Sequence, residues 1–304
     1  MAMLLPAAAS AQTSVGSLDT PGYAQAVTAR EDRAYVADGN GGLRIVDVSK
    51  PAAPRELGAY DTPGYAWDVA IAGDRAYVAD GSTGLHILDI SDAARPRRLG
   101  GFDTPDFALG VTVVGQLAYV ADRLSGLRIL DVSNPAAPRE LGFLDTPGAA
   151  IDVEVAGGVA YVADGNRGVR SIDVSDPRAP RTLGSLDTPG SALALAVSGE
   201  QLILADRRPA LRILAVRDPS ALREVGALDT KRFVLGVGVR EGRAYLAARD
   251  AGVRVIDVTN PARPRAVGRV DTPGEAWDVE VAGSLLFVAD GSAGLQILTR
   301  STTR

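Results

Sequence analysis

One spacing governs this chain. The dipeptide Asp-Thr occurs at Asp19, Asp61, Asp103, Asp145, Asp187, Asp229 and Asp271, each step 42 residues long with no insertion. A repeat of fixed length means one structural unit used seven times. A unit this small cannot bury both of its faces alone, so successive copies must stack. Other landmarks keep the same phase: Tyr35, Tyr77, Tyr119, Tyr161 and Tyr245 align, with Ile203 and Phe287 in the two remaining copies.

Within one copy, four strand signals are separated by turns. Residues 65–72 alternate and stop at Gly73-Asp74, and residues 75–80 form a second run ended by Gly81. Residues 85–90 are apolar and β-branched, and residues 97–102 follow a proline-containing loop. Little chain is left for helices. Four short antiparallel strands per repeat make a propeller blade. The last copy stops after its third strand, Leu295 to Thr299, while a lone strand, Ser14 to Leu18, precedes the first copy. That strand is expected to complete the last blade, since closure removes exposed edges. The sequence therefore predicts an all-β fold: one seven-bladed β-propeller over residues 13–304, with its ring closed by the N-terminal strand.

The segments GLRIVDVS (Gly42 to Ser49), GLRILDVS (Gly126 to Ser133) and GVRVIDVT (Gly252 to Thr259) resemble the LVIVD repeat of bacterial and archaeal surface proteins. The resemblance covers residues 13–299. It implies a propeller and a cell-surface or exported protein, and it brings no shared catalytic residues with it.

Composition narrows the partners. The formal net charge is −5, against the basic footprint that phosphate neutralisation needs, so nucleic acid is not an expected partner. No apolar run is long enough to span a bilayer. The absence of cysteine removes disulfides, thiolate metal sites and cysteine nucleophiles. Residues 1–12 read MAMLLPAAASAQ, with Ala9 and Ala11 matching the A-x-A form of a signal-peptidase site. They read as a signal-peptide remnant or a tail, and the expected location is extracellular or periplasmic.

A repeat separates structural from functional residues, because what every blade keeps serves every blade. The loops joining strands D to A and B to C emerge on one face, called the top. The first reads Asp-Thr-Pro-Gly in five copies, a type II turn pattern in which glycine would take positive φ. The second reads Ala-Asp-Gly in four copies. Against this background Arg123, Arg207 and Arg249 replace the loop glycine, Arg208 adds a further cation, and Lys231-Arg232 replaces Pro-Gly. Guanidinium forks suit carboxylate, phosphate or sulfate groups. Tyr23, Tyr65, Phe107 and Phe233, with Glu275 at the same position, form an expected rim for an amphipathic ligand.

Strand A lies next to the axis. Its columns are expected to alternate, apolar ones packing between blades and small or polar ones facing the channel. Asp68, Asp152, Glu154, Asp278 and Glu280 would then line the channel, holding water or Ca2+. No other cofactor is expected. His86, the single histidine, is expected on strand C at the surface or between blades, which argues against a catalytic triad or a histidine metal site. The leading expectation is a binding module whose top face meets a protein, a glycan or a small anionic or amphipathic ligand. The alternative is a cofactor-independent lyase, isomerase or hydrolase in the central funnel.

Overall fold

The computed structural model describes residues 14–207 and 211–300, so residues 1–12 and Arg208 lie outside the described part of the chain. The described residues form seven four-stranded antiparallel sheets, six of them consecutive meanders. In blade 1, Ala26–Arg30, Arg33–Ala37, Leu43–Asp47 and Arg55–Tyr60 run A to D from the axis outward. Blade 7 is composite. It holds Asp278–Ala282, Leu285–Ala289 and Leu295–Thr299, with Ser14–Leu18 as its outer strand. Leu18 pairs with Leu295, and Gly16 pairs with Ile297. The ring is therefore closed by hydrogen bonds between the two ends of the chain. No helix among the described residues is long and apolar enough to cross a membrane.

The core lies between blades rather than within them. The Ala-Tyr-Val-Ala run of strand B is buried on both sides in blades 1 to 4. Tyr35, Ala37, Leu43 and Ile45 of blade 1 meet Ala66, Val69, Val78 and Leu88 of blade 2 in one cluster. Val27 and Val36 of blade 1 meet Phe287, Leu295 and Ile297 of blade 7 in another, which Val15 and Leu18 cover. A valine or leucine side chain so buried contributes about 1.5–3 kcal/mol.

Strand D carries a glycine for a steric reason. A Cβ on Gly58 would lie 2.4 Å from the carbonyl oxygen of Ala93 in the next blade, and one on Gly100 would lie 2.2 Å from that of Pro135. The same test on Gly16 meets Pro51 O at 2.2 Å. The N-terminal strand thus makes the interblade approach that strand D makes in blades 1 to 5.

Strand A is shorter than its sequence pattern suggests. In blade 2 it runs from Asp68 to Ala72, not from Tyr65. Ahead of it, Ala66 forms an isolated bridge to Gly39 in the B-to-C loop of blade 1. Ala24, Ala108, Ala150, Ala192 and Ala276 make the equivalent bridges, and all are fully buried. The backbone-to-backbone approach explains the small side chain.

Candidate binding cavity and its rim

The two top loops are bound together by a buried aspartate. Asp38 accepts hydrogen bonds from Thr20 Oγ1 at 2.5 Å and from the backbone N–H of Gly22 at 2.8 Å. Asp290 does the same with Thr272 and Gly274 at 2.5 and 2.8 Å. In blades 1, 2 and 7 the threonine, the glycine and the loop aspartate thus form one unit. The glycine differs from its turn-pattern expectation. Gly22, Gly64, Gly148 and Gly274 are not among the glycines with positive φ. They are required because a Cβ would lie about 2 Å from the loop aspartate's carbonyl oxygen (1.9 Å for Gly22, 2.1 Å for Gly148). The Asp of Asp-Thr faces strand C instead: Asp61 pairs with Arg44 at 2.9 Å and Asp187 with Arg170 at 3.2 Å.

His86 is not a surface residue. It is 4% exposed, and its Nδ1 accepts from Arg98 Nε at 3.1 Å. Nε2 then carries the proton, 3.1 Å from Thr83 Oγ1 and 3.4 Å from Asp80 Oδ2. Burial outweighs Asp80 and holds the imidazole below its usual range. It fills the strand C place that arginine takes in most blades.

At the axis the top face opens into a cavity of about 340 Å3. Its upper ring holds one residue per blade: Gln25, Trp67, Leu109, Ile151, Leu193, Leu235 and Trp277. The next ring holds Asp68, Asp152 and Asp278 among alanines and glycines. This corrects the expected alternation, in which the first of these columns packs between blades. Six of these residues precede the regular part of strand A, and Leu193 sits where the register of Ala192–Ser198 shifts, so the two-residue period does not bind them. Val27 and Val69, inside the strand, do pack between blades.

The three aspartates are fixed by the ring. Asp68 accepts from its own strand at Val69 N (2.7 Å) and from the next blade at Val111 N (2.8 Å). Asp152 does so with Val153 N and Leu195 N at 2.7 and 2.8 Å, and Asp278 accepts from Val27 N at 3.1 Å across the closure. Each one ties the innermost strands of two blades together. Small neighbours make room: a Cβ on Gly236 would meet the Cα of Asp278 at 2.8 Å. Two residues along the strand lie Glu154 and Glu280. Water reaches all five groups through the channel, but protein surrounds them. Burial, reinforced by neighbouring carboxylates, pushes Asp68, Asp152, Glu154 and Glu280 up to about 7, and burial alone raises Asp278. Among the described residues, no three acidic or histidine side chains converge as a set of metal ligands.

The rim holds the other candidates, most of them engaged with one another. Trp277 Nε1 donates to Tyr23 Oη at 3.0 Å, Tyr23 donates to Glu275 at 2.8 Å, and Arg249 reaches Glu275 at 3.1 Å. This relay crosses blades 1, 7 and 6. Tyr65 accepts from Gln25 at 2.8 Å and lies 4.9 Å from the Trp67 ring. Arg123 lies over Phe107 at 5.3 Å and near Asp106 at 4.0 Å, while Arg207 lies over Phe233 at 5.1 Å. Arg232 approaches Asp250 at 3.8 Å, and Lys231 is exposed. Arg123 and Arg249 keep the left-handed backbone of the glycines they replace, at φ 42° and 52°. Such strain costs about 1 kcal/mol per residue. Arg123, Arg207, Arg232 and Arg249 are thus each engaged with an aromatic ring or a carboxylate of the rim. Sequence reasoning missed the apolar upper ring; its signal was the recurrence of one large side chain immediately before strand A.

The LVIVD-repeat family model matches seven times, at residues 21–62, 63–104, 107–146, 147–188, 189–230, 233–272 and 273–298. The chain belongs to the LVIVD-repeat family. No curated protein matches this LVIVD-repeat protein by sequence. Solved structures similar to it include U3-55K, at 11% identity and TM-score 0.78 over 96% of this chain and 99% of that one. The Cps50 (Swd1) propeller of Myceliophteria thermophila has 12% identity and TM-score 0.78, covering 96% of this chain and all of its own. The WD40 propeller of Doa1 has 12% identity and TM-score 0.74, covering 96% and 97%. At these identities the likeness is one of fold.

Proposed function

We propose that this LVIVD-repeat protein is an exported binding module, extracellular or periplasmic, that takes an amphipathic ligand into the axial cavity of its top face. The observation that carries this reading is the cavity's layered lining. Trp67, Trp277 and four aliphatic side chains form the walls, and Asp68, Asp152 and Asp278 form the floor. A concave, mostly apolar site with few convergent polar groups is what small ligands and protruding side chains of partner proteins require. The chemistry suits an apolar body with a donor or cationic end directed at the carboxyl floor, helped by the tryptophan faces. The LVIVD repeat and the N-terminal A-x-A pattern support export.

A second reading, an acid–base enzyme in the same cavity, is favoured by one observation. Carboxyl groups held near neutrality are what general acid–base chemistry uses. The binding reading is preferred because the aspartate oxygens already serve backbone N–H groups of two blades. In addition, among the described residues no lysine, arginine, serine or histidine lines the cavity to act as their partner.

Ile151→Glu places a charge in the apolar upper ring, on a half-buried residue outside the interblade core. Titration with alkylamines and with lysine- or aromatic-bearing peptides should show binding to the wild type. The variant should lose it, with its melting midpoint little changed. Retention of full affinity by the variant would place the site elsewhere.

A further inference from the structure

Blade 6 departs from its sister blades at a place separate from the axial cavity. Elsewhere the strand C arginine is neutralised by the buried loop aspartate of its own blade. The distances are 3.6 Å for Arg44–Asp38, 3.2 Å for Arg170–Asp164 and 2.5 Å for Arg212–Asp206. In blades 3 and 5 a strand D glutamate adds a second carboxylate, Glu140 to Arg128 and Glu224 to Arg212. The blade 6 equivalent is Arg254. One repeat on from Asp206 stands Ala248, and one repeat on from Glu224 stands Ala266. Both neutralising groups are gone.

Positive charge is added in the same place. Arg254 is the direct cross-strand partner of Arg269. The positions equivalent to Arg269 are Ala59, Phe143, Ser185 and Ala227 in other blades. Like charges directly opposite on a sheet are destabilising. Arg232 stands where five other blades keep a glycine, which in four of them is crowded by the loop aspartate's carbonyl. Its side chain accompanies the loss of that aspartate. Arg254 Nε is buried without a hydrogen-bond partner, as are Arg44 Nε and Arg128 Nε, but those two have the loop aspartate at 3.6 and 3.8 Å. Burial, Arg269 and Arg232 hold Arg254 below the usual guanidinium range, against the opposing pull of Asp271 and Asp250. Among the described residues, no carboxylate oxygen lies within 4.0 Å of a nitrogen of Arg254 or Arg269, and Asp250 is engaged at 3.8 Å by Arg232.

Among the described residues, Arg254 and Arg269 are left without a carboxylate partner, and Arg232 shares only the exposed Asp250, so the cluster carries an excess of positive charge that an anion would offset. We propose that blade 6 binds a tetrahedral oxyanion, a sulfate or phosphate group, between Arg254, Arg269 and Arg232. The planar donor forks of arginine match such oxygens in pairs. A doubly charged ion would supply the two negative charges that Asp and Glu bring to the strand C arginine in blades 3 and 5.

The test compares the wild type with Ala248→Asp, which reinstates the carboxylate used in six blades and so is expected to fold. Melting and calorimetric titration with inorganic sulfate and inorganic phosphate are run at fixed ionic strength against chloride. Sulfate also stabilises proteins in general by exclusion from their surface, so the difference between the two proteins is what counts. The wild type should show a saturable rise in melting midpoint, by mass action on the folded state. Ala248→Asp should weaken the affinity by at least about tenfold, the equivalent of one lost charge-assisted hydrogen bond. Arg269→Ala, at an exposed position, should do the same. Phenyl phosphate in place of inorganic phosphate distinguishes an esterified group from the free ion, and either preference upholds the site if Ala248→Asp removes it. Identical responses in the wild type and both variants would overturn the proposal.

Discussion

At the scale of single residues, two sets of carboxyl groups pull stability in opposite directions with pH. At the start of the C-to-D loop, Asp47, Asp131, Asp173 and Asp257 accept from a following Ser or Thr and from an arginine, and these bonds hold them down at about 2. A lowered carboxyl contributes stability above its unfolded value near 4, and that stability is lost as pH falls toward 2. The channel groups Asp68, Asp152, Glu154 and Glu280 stand at about 7. Between pH 4 and 7 the folded state holds protons that the unfolded state has released. Their contribution is therefore full below about pH 4 and is lost as pH rises through 7. The melting midpoint should peak in mildly acid solution and fall by pH 8. Glu154→Gln mimics the protonated form. It should raise stability at pH 8 by on the order of 1–2 kcal/mol, a shift discounted for the water in the channel, and change little at pH 5. A flat profile from pH 5 to 8, or an equal effect of the variant at both values, would show that these groups ionise freely. The repeat located these five carboxyls in the sequence, but not what fills their lone pairs. Asp68 bonds Val111 and Asp278 bonds Val27, contacts between blades that only the ring geometry brings together.

At the scale of the element, strands were legible where two sides of a sheet constrain them. Strand D at Arg97–Phe102 and the closing strand at Ser14–Leu18 have the bounds that the sequence pattern predicts. Strand A does not, because its apparent alternation continues into a segment, Tyr65 to Trp67, held by a bridge to the neighbouring blade's loop. The turn glycines were legible as necessary and misread as to cause, since close approach and positive φ leave the same letter in a sequence. His86 was placed correctly on strand C, but whether it is buried was left open, because Asp80 and Arg98 converge on it only in the folded blade. The closing strand offers the sharpest test at this scale. Deleting residues 14–18 exposes Leu295 to Thr299 as an edge and uncovers the cluster around Phe287 and Ile297. The loss should be several kcal/mol of the roughly 5–15 kcal/mol typical of a domain, with a matching fall in the urea midpoint. An unchanged midpoint would mean that the ends of the chain do not hold the ring together.

At the scale of the molecule, seven near-identical blades carry the fold, and the departures from identity carry the individuality of the surface. The cavity inherits its apolar walls from a position that varies among Gln, Trp, Leu and Ile, and its floor from three aspartates set among alanines and glycines. The chain contains two tryptophans, Trp67 and Trp277, and both line this cavity. Their fluorescence therefore reports on the proposed site without a label. The most direct measurement is acrylamide quenching of the single-tryptophan variants Trp67→Phe and Trp277→Phe, with and without a saturating ligand from the alkylamine and peptide titration. The axial site predicts that the bound ligand shields the remaining tryptophan from quencher in both variants. Tight binding that leaves both tryptophans as open to quencher as in the free protein would contradict it.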